Sequence, residues 1–350
     1  MTKLLKWALI CAAALVAAGL IILYEMFFGA NWFTGQEEKT FFVSRGQTFS
    51  SVVDSLDAAG IISNRATFLF VARVHGGGTR VHVGKYKFRT GVSNHELLLA
   101  LIEGRDIAYI PVTIPEGLMA REQAHIFSRV LGIDSARYMA LVHDESFTHS
   151  VGISSPSLEG YLFPETYSFY WQTDERDVIT RLVRQYEAFY SDSLQARAHD
   201  LGWTTNQVMT LASIIEGEAV LKEERPVISG VYHNRLQKGM KLEADPTIRF
   251  MLEDGRRRVL YTDLQSDNPY NTYRRVGLPP GPINNPGKAS ILAALFPATN
   301  NYLFFVANGR GGHWFSSTFA EHLKYVRRYR RERRLRIESS LTAREKPDER

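Results

Sequence analysis

The chain has 350 residues, of which 45% are hydrophobic and 23% charged. At roughly 100 to 200 residues per domain that is room for two compact domains with appendages, and the composition excludes a largely disordered, collagenous or many-span membrane chain. Its single cysteine, Cys11, excludes an intramolecular disulfide, cysteine catalysis outside the N-terminal run and any cysteine-built zinc, haem or iron–sulfur site. The net charge of +5 belongs to the C-terminus: residues 324–350 hold eleven Lys/Arg against five Asp/Glu, and the rest of the chain is close to neutral.

From Trp7 to Tyr24 eighteen consecutive residues carry no charge, enough for a helix of about 27 Å, close to the hydrocarbon thickness of a bilayer. Lys3 and Lys6 precede the run and Glu25 follows it, so the positive-inside rule places residues 1–6 in the cytoplasm and everything after residue 24 outside it. A cleaved secretory signal is the alternative, but its apolar region is shorter, and Phe28-Gly29-Ala30 is a poor cleavage site. A lipoprotein site at Cys11 is disfavoured because the apolar run continues for a dozen residues beyond it. On each reading the domains that follow are exported, which argues against a nucleic-acid partner.

A polar spacer is expected over residues 25–39. A small α+β module follows over 40–107. Thr40 to Ser44 reads as a strand, and Val52, Val53, Leu56 and Ala59 recur at helical spacing up to a stop at Gly60. A second helix spans Ala66 to Val74 and ends at the glycine run Gly76 to Gly78. Val81 to Phe88 reads as a strand, and Ser93 with Glu96 forms a capping box for a helix that Gly104 stops.

A larger mixed α+β domain is expected over 108–323. A strand over Ala108 to Ile114 leads into mostly helical sequence as far as about His199, interrupted by the aromatic loop 159–167. Thr204 and Gln207 cap a helix through Val208, Leu211, Ala212 and Ile215 that Gly217 should fray or end. Pro226 suits the first turn of the next helix. Residues 268–287, with five prolines and three glycines, are too rich in breakers for regular elements. A strand over Tyr302 to Ala307 and a basic helix from Phe319 to about Arg336 follow, with the last dozen residues expected to be disordered. The fold class is thus α+β, with one N-terminal transmembrane helix (7–24), a small module, a larger domain and a basic C-terminal region (324–350), whose helix is best read as solvated, with anionic headgroups or cell-wall polymers as alternatives.

Glu216 follows the apolar stretch Leu211 to Ile215 near a helix C-terminus. Both the apolar surroundings and the negative end of the helix dipole disfavour its charged form, as a general acid requires. The plainer reading is that it turns to solvent or pairs with Lys222 or Arg225. Glu218, two residues on, cannot share its face and reads as a surface residue. Asp245-Pro246-Thr247 reads first as a turn. The segment Tyr270-Asn271-Thr272-Tyr273 and the proline-stiffened loop 277–287 offer aromatic faces and amides of the kind that bind sugars. His233 and His313 have no partner at metal spacing, and no metal or cofactor is expected. There is no phosphate-binding glycine loop and no serine elbow.

In their order, these segments resemble the YceG-like endolytic murein transglycosylases. The matching pieces are E-G-Y-L-F-P-E-T-Y at 159–167, L-A-S-I-I-E-G-E at 211–218, H-N-R-L at 233–236, D-P-T-I at 245–248, Y-N-T-Y at 270–273 and G-L-P-P-G-P-I-N-N-P-G at 277–287. The resemblance implies a LysM-like module over 40–107, Glu216 as the catalytic acid, and substrate-cleft roles for Glu165, Asn234, Glu243, Asp245, Tyr270, Asn271, Thr272 and Tyr273. It also implies peptidoglycan glycan strands as substrate, cleaved to 1,6-anhydro ends by one carboxyl, and peptidoglycan polymerases and transpeptidases as partners. A noncatalytic glycan-binding protein and a lysozyme-like hydrolase, with Glu165, Glu243 or Asp245 as second carboxylate, are the alternatives. Two positions depart from the pattern: Glu243 stands where glutamine is common, and Gly217 where a longer, often basic residue is usual. The basic C-terminal extension also goes beyond it.

Overall fold

The apolar N-terminal run forms helix α1 (Lys3–Phe28) in the computed structural model, which describes residues 3–76, 80–252 and 257–344, with side chains to residue 337 in the last helix. Its 26 residues span about 39 Å at 1.5 Å per residue, and it is long and apolar enough to cross a bilayer. Its last turn is tied down. Phe27 packs on the core of the following module, and Asn94 Nδ2 donates to the Met26 carbonyl at 2.9 Å.

Residues 25–39 are therefore not the free spacer expected. Helix α1 continues to Phe28, strand β1 (Ala30–Asn31) follows, and Phe33 is buried with its N–H donated to Thr90 Oγ1 at 2.8 Å. Apolar residues hidden in a polar segment make it part of the fold. Strand β2 (Glu38–Val43) turns Phe41 and Val43 inward, followed by α2 (Phe49–Ala58) and α3 (Arg65–Val74), whose N-termini are capped by Thr48 and Asn64. Strand β3 (Gly84–Arg89) runs antiparallel to β2, with Glu38 opposite Arg89 and Val43 opposite Gly84. It starts at Gly84, not at Val81, and a Cβ at Gly84 would lie 2.8 Å from Ile107 Cγ2. Strand β4 (Val92–Ser93) pairs with β1, and α4 (Asn94–Glu103) starts on the Ser93–Glu96 capping box and ends on left-handed Gly104. Val52, Leu56, Phe68, Val71, Tyr86, Leu97 and Leu101 close the core. Of the expected glycine stop after α3, Gly77 and Gly78 lie outside the described residues.

The rest of the chain begins with β5 (Ile110–Thr113), α5 (Ala120–Leu131), α6 (Ser135–Val142) and α7 (Glu145–Ser150). Strand β6 (Thr166–Phe169), paired with β5, takes the end of the segment read as an irregular loop. Helices α8 (Glu175–Phe189) and α9 (Asp192–Asp200) lead to α10 (Thr205–Glu218). Every residue of α10 from Val208 to Ile215 is buried, the signature of a central helix. Gly217 does not end it, and Glu218 is its last residue. Helix α11 (Arg225–Gln237) carries Pro226 in its first turn as expected. Asp245 and Pro246 do not form a mere turn but open helix α12 (Asp245–Met251), since proline in a first turn lacks only an N–H that has no intrahelical partner. Residues 268–287 carry no helix or strand, as expected.

Helix α13 (Lys288–Leu295), which packs extensively against α10, is absent from the sequence reading. So is β8 (His313–Ser316), the antiparallel partner of β7 (Phe304–Ala307). Helix α14 (Phe319–Arg344) continues past Arg336, so the residues up to 344 expected to be disordered are helical; 345–350 lie outside the described residues. Two compact units result, one made of residues up to Val112 with Ser128–Ile133 and Tyr167–Asp174, the other of Thr113–Phe127, Asp134–Thr166 and the chain from Glu175 onward.

The cap of α10 is reciprocal: Gln207 N donates to Thr204 Oγ1 at 3.2 Å, and Thr204 N donates to Gln207 Oε1 at 2.8 Å. Replacing Thr204 by alanine should destabilise the protein by about 1 kcal/mol, read as a lower urea midpoint with an unchanged slope.

Candidate active site

The last turn of α10 carries two carboxylates that face different surroundings. Glu216 points toward α11 and α13. Its Oε1 meets Arg225 Nη2 at 2.9 Å, and its Oε2 accepts from Gly287 N at 3.0 Å and Ser290 Oγ at 2.7 Å. Ser290 Oγ in turn accepts from Arg225 Nε at 2.9 Å. The Glu216 and Arg225 side chains are only 7% and 6% exposed. The residue expected to be the acid thus accepts three hydrogen bonds and closes a buried ion pair, which is the plainer of its two sequence readings.

Glu218 is not a surface residue. It is partly buried, accepts from Tyr232 Oη at 3.3 Å, and receives the backbone N–H of Asp245. Burial, and secondarily the neighbouring Asp245 carboxylate, push its pKa up to about 7. Asp245, at the start of α12, accepts from Tyr273 Oη at 2.6 Å. The Tyr273 phenol is raised above its ordinary range by burial and by that aspartate, so it stays protonated. Glu218, Tyr232, Asp245 and Tyr273 form a cluster that joins the ends of α10 and α12 to the 270–273 segment.

Several residues expected at a cleft are spent on structural hydrogen bonds. Thr272 is buried; its hydroxyl accepts from Ala244 N at 3.0 Å and lies 2.9 Å from Thr247 Oγ1, pinning α12. Asn271 is fully buried, donating to the Leu264 and Ser266 carbonyls and accepting from Tyr273 N, which leaves no donor for a sugar. Asn234 spends its amide on Asn300 and the Tyr302 carbonyl. Glu165 is exposed and reaches Lys288 Nζ at 3.3 Å. Tyr270 lines a cavity of about 480 Å³ with Phe250, Arg121, His143 and Glu159. His233 lies 3.0 Å from the Ala294 carbonyl and stacks on Trp203, and His313 Nδ1 pairs with Glu224 at 2.7 Å.

Asn285 latches the segments around Leu118 and 159–162 to the proline-rich loop. Its Oδ1 accepts from Gly160 N and Leu162 N, and its Nδ2 donates to the Leu118 carbonyl and to Glu159 Oε1. Glu159 also accepts from Ala120 N at 3.1 Å. Burial raises its pKa to about 8. Sequence reading offers Arg225 as a possible partner of Glu216 and takes Glu218 for a surface residue; Ser290 and Tyr232 carry no signal there, because their contacts with these glutamates come from other elements.

A model of the YceG-like family matches residues 41–328. The chain belongs to that family. The Bacillus subtilis (strain 168) protein named endolytic murein transglycosylase is 30% identical over 302 residues, covering 82% of this chain and 83% of the relative. The Streptococcus pneumoniae (strain R6) protein of the same name is 25% identical over 323 residues, and the match spans only 57% of it. A crystal structure of a YceG-like protein from Listeria monocytogenes, 30% identical, superposes with a TM-score of 0.59 over 82% of this chain and 98% of that one.

The two departures from the YceG-like pattern have local partners. Glu243 adopts a left-handed backbone, φ 52°, and its carboxylate meets Arg235 Nη1 at 3.1 Å. Arg235 also donates to the Leu303, Lys241 and Leu242 carbonyls, so an acid at 243 completes a cationic hub that ties β7 to the segment before α12. At Gly217 a Cβ would lie 2.6 Å from Pro246 Cβ.

The raised pKa of Glu159 fixes the sign of a pH effect. Its folded value, about 8, lies above the ordinary 4.5. The associated stability is therefore fully present below about pH 4.5 and is lost as the pH rises through 8, a span on the order of 5 kcal/mol. Glu159→Gln, which keeps the neutral shape, should flatten the fall in melting temperature between pH 5 and pH 9.

Proposed function

We propose that the protein is a membrane-anchored endolytic lytic transglycosylase that cleaves nascent peptidoglycan strands between N-acetylmuramic acid and N-acetylglucosamine, with Glu218 as the acid. The supporting observation is the environment of Glu218: a carboxyl within hydrogen-bonding reach of the Tyr232 phenol and the Asp245 N–H, whose pKa burial and the Asp245 carboxylate push up to about 7. A general acid needs a pKa near the working pH. Family membership and the names of the relatives supply the substrate class.

In this mechanism Glu218 protonates the glycosidic oxygen as the bond to the muramic C1 breaks. The resulting Glu218 carboxylate then takes the proton of the muramic C6 hydroxyl, whose oxygen bonds to C1 and closes a 1,6-anhydro ring. No water is consumed, and the proton returns to Glu218. The Asp245 carboxylate, held by Tyr273, keeps the Glu218 proton in place and lies where it can stabilise positive charge developing at C1. Glu216 has a positioning role in place of the acid role expected of it, fixing the end of α10 through Arg225 and Ser290.

Helix α1 is read as the single membrane span, with the N-terminus in the cytoplasm and the catalytic domain outside. Residues 40–107 are read as a LysM-like glycan-holding module. Glycan polymerases and transpeptidases are the expected partners, since endolytic cleavage close to the membrane ends strand growth.

The test uses the full-length protein in detergent with uncrosslinked glycan strands and mass spectrometry of the products. Internal fragments ending in 1,6-anhydro muramic acid are expected, with Glu218→Gln lowering kcat on the order of 10²- to 10⁴-fold. Wild-type activity should fall as the pH rises through about 7, where Glu218 loses its proton. Glu216→Gln should instead act through stability, since uncoupling a buried pair costs about 3 to 5 kcal/mol. An inactive but fully stable Glu216→Gln beside an active Glu218→Gln would return the acid role to Glu216. Reducing ends in place of anhydro ends would mean hydrolysis by a Glu218 and Asp245 pair, and binding without cleavage by the wild type would mean a glycan-binding protein.

A further inference from the structure

Helix α1 is longer than a bilayer's hydrocarbon core needs. Trp7 and Tyr24, aromatic residues of the kind that mark the two membrane interfaces, are separated by seventeen residues, or about 26 Å along a helix. The helix then continues for one more turn to Phe28. That turn lies at headgroup level if α1 spans the membrane, and it is docked on the module that follows. Asn94 holds the Met26 carbonyl, Phe27 packs on the module core, and the Phe28 ring lies 5.3 Å edge-on from His95. His95 stacks at 5.2 Å on His75, the residue that ends α3. The C-terminal end of α3 is therefore beside the point where α1 leaves the bilayer.

That end of α3 is apolar on its outer side. Phe70 and Val74, one helical turn apart, are 41% and 57% exposed, while Phe68, Val71 and Ala72 face the core. Arg73, also exposed, lies between them. Large apolar side chains grouped on an exposed face mark a surface that meets something other than water. Continuity with the anchor helix says what that is: an aromatic and an aliphatic side chain on the helix whose cap, His75, is joined to Phe28 through His95, with an arginine among them, match the acyl boundary and the phosphates of a lipid headgroup layer.

We infer that the Phe70–Val74 face of α3 is a second membrane contact, seated in the outer headgroup region of the bilayer that α1 crosses. The inference rests on the reading of α1 as a span. The module then lies on the lipid surface as a rigid extension of the anchor, held by the helical junction at Met26 to Phe28 and by the ring contacts of His95 with Phe28, edge-on, and with His75, stacked.

The test is electron paramagnetic resonance on the full-length protein in phospholipid vesicles. In a Cys11→Ser background, a nitroxide is placed at Phe70→Cys, at Leu15→Cys within α1, or at Ser51→Cys on the exposed side of α2. Collision with oxygen reports lipid, and collision with a water-soluble nickel chelate reports solvent. The oxygen-to-nickel ratio at position 70 should be several-fold above that at 51 and below that at 15. If position 15 reads as aqueous, the span reading fails and the inference with it. If position 15 is immersed but position 70 matches 51, the second contact alone is overturned. Shielding of position 70 from both reagents would mean that another protein covers the face, and would overturn it equally.

Discussion

The buried pair of Glu216 and Arg225 is the constraint around which the larger unit is organised. Taking two charges out of water costs several kcal/mol per ion, and attraction offsets that only when the geometry is good and the remaining polar atoms have partners. Here partners come from three elements, while Arg225 Nη1 is buried without a hydrogen-bond partner among the described residues. Arg225 opens α11, Ser290 lies in the first turn of α13, and Gly287 N belongs to the end of the proline-rich loop. Displacing any of them strands a charge, so α10, α11 and α13 are held in one register. The all-round burial of α10 and the small residues of α13, Ala293 and Ala294 among them, let the two helices approach closely enough for that geometry.

With Glu216 committed in this way, the second carboxylate of the same turn is left to a different environment. Glu218 meets no cation at hydrogen-bonding distance among the described residues; it meets a phenol, a backbone N–H and the field of Asp245. Two carboxylates two residues apart thus meet different surroundings, one fastened to a cation and one pushed up to about 7 by burial and by Asp245. That difference comes from surroundings rather than residue type. Sequence reasoning places Glu216 in apolar surroundings, and its side chain is indeed buried, but there it meets Arg225.

Sequence reasoning succeeds where the determinants are local. The capping boxes at Ser93–Glu96 and Thr204–Gln207, proline in the first turn of α11 and the inward stripe of α2 depend on spacings of three or four residues, and all are found. It fails where the determinant is an encounter. Helix α13 reads Lys-Ala-Ser-Ile-Leu-Ala-Ala-Leu, a run without a polar face, so periodicity gives it no signature. Phe33 belongs to the module core only because the chain after α1 folds back along the 90–93 turn. The candidate cluster is the extreme case: Asp245 and Tyr273 lie far along the chain from Glu218, and whether Asp-Pro starts a turn or a helix depends on what Thr272 holds. Family resemblance names these segments as cleft and Glu216 as the acid, but does not say which carboxyl in them meets which partner.

Gly217 shows how closely the two carboxylate environments are joined. Glycine inside a helix costs about 1 kcal/mol relative to alanine, yet it occupies the position between the two glutamates. Pro246 lies against it, so close that a Cβ at 217 would be 2.6 Å from the proline Cβ. That approach sets the start of α12 against the end of α10, which is what allows the Asp245 N–H to reach Glu218 and the Asp245 carboxylate to raise its pKa. From the other side, Thr272 holds Ala244 and Thr247, so α12 cannot swing away. A larger residue at 217 requires Pro246, and with it the start of α12, to give way. The glycine thus trades helix stability for a close approach, and Glu218 gains a neighbouring carboxylate that adds to the effect of burial on its pKa.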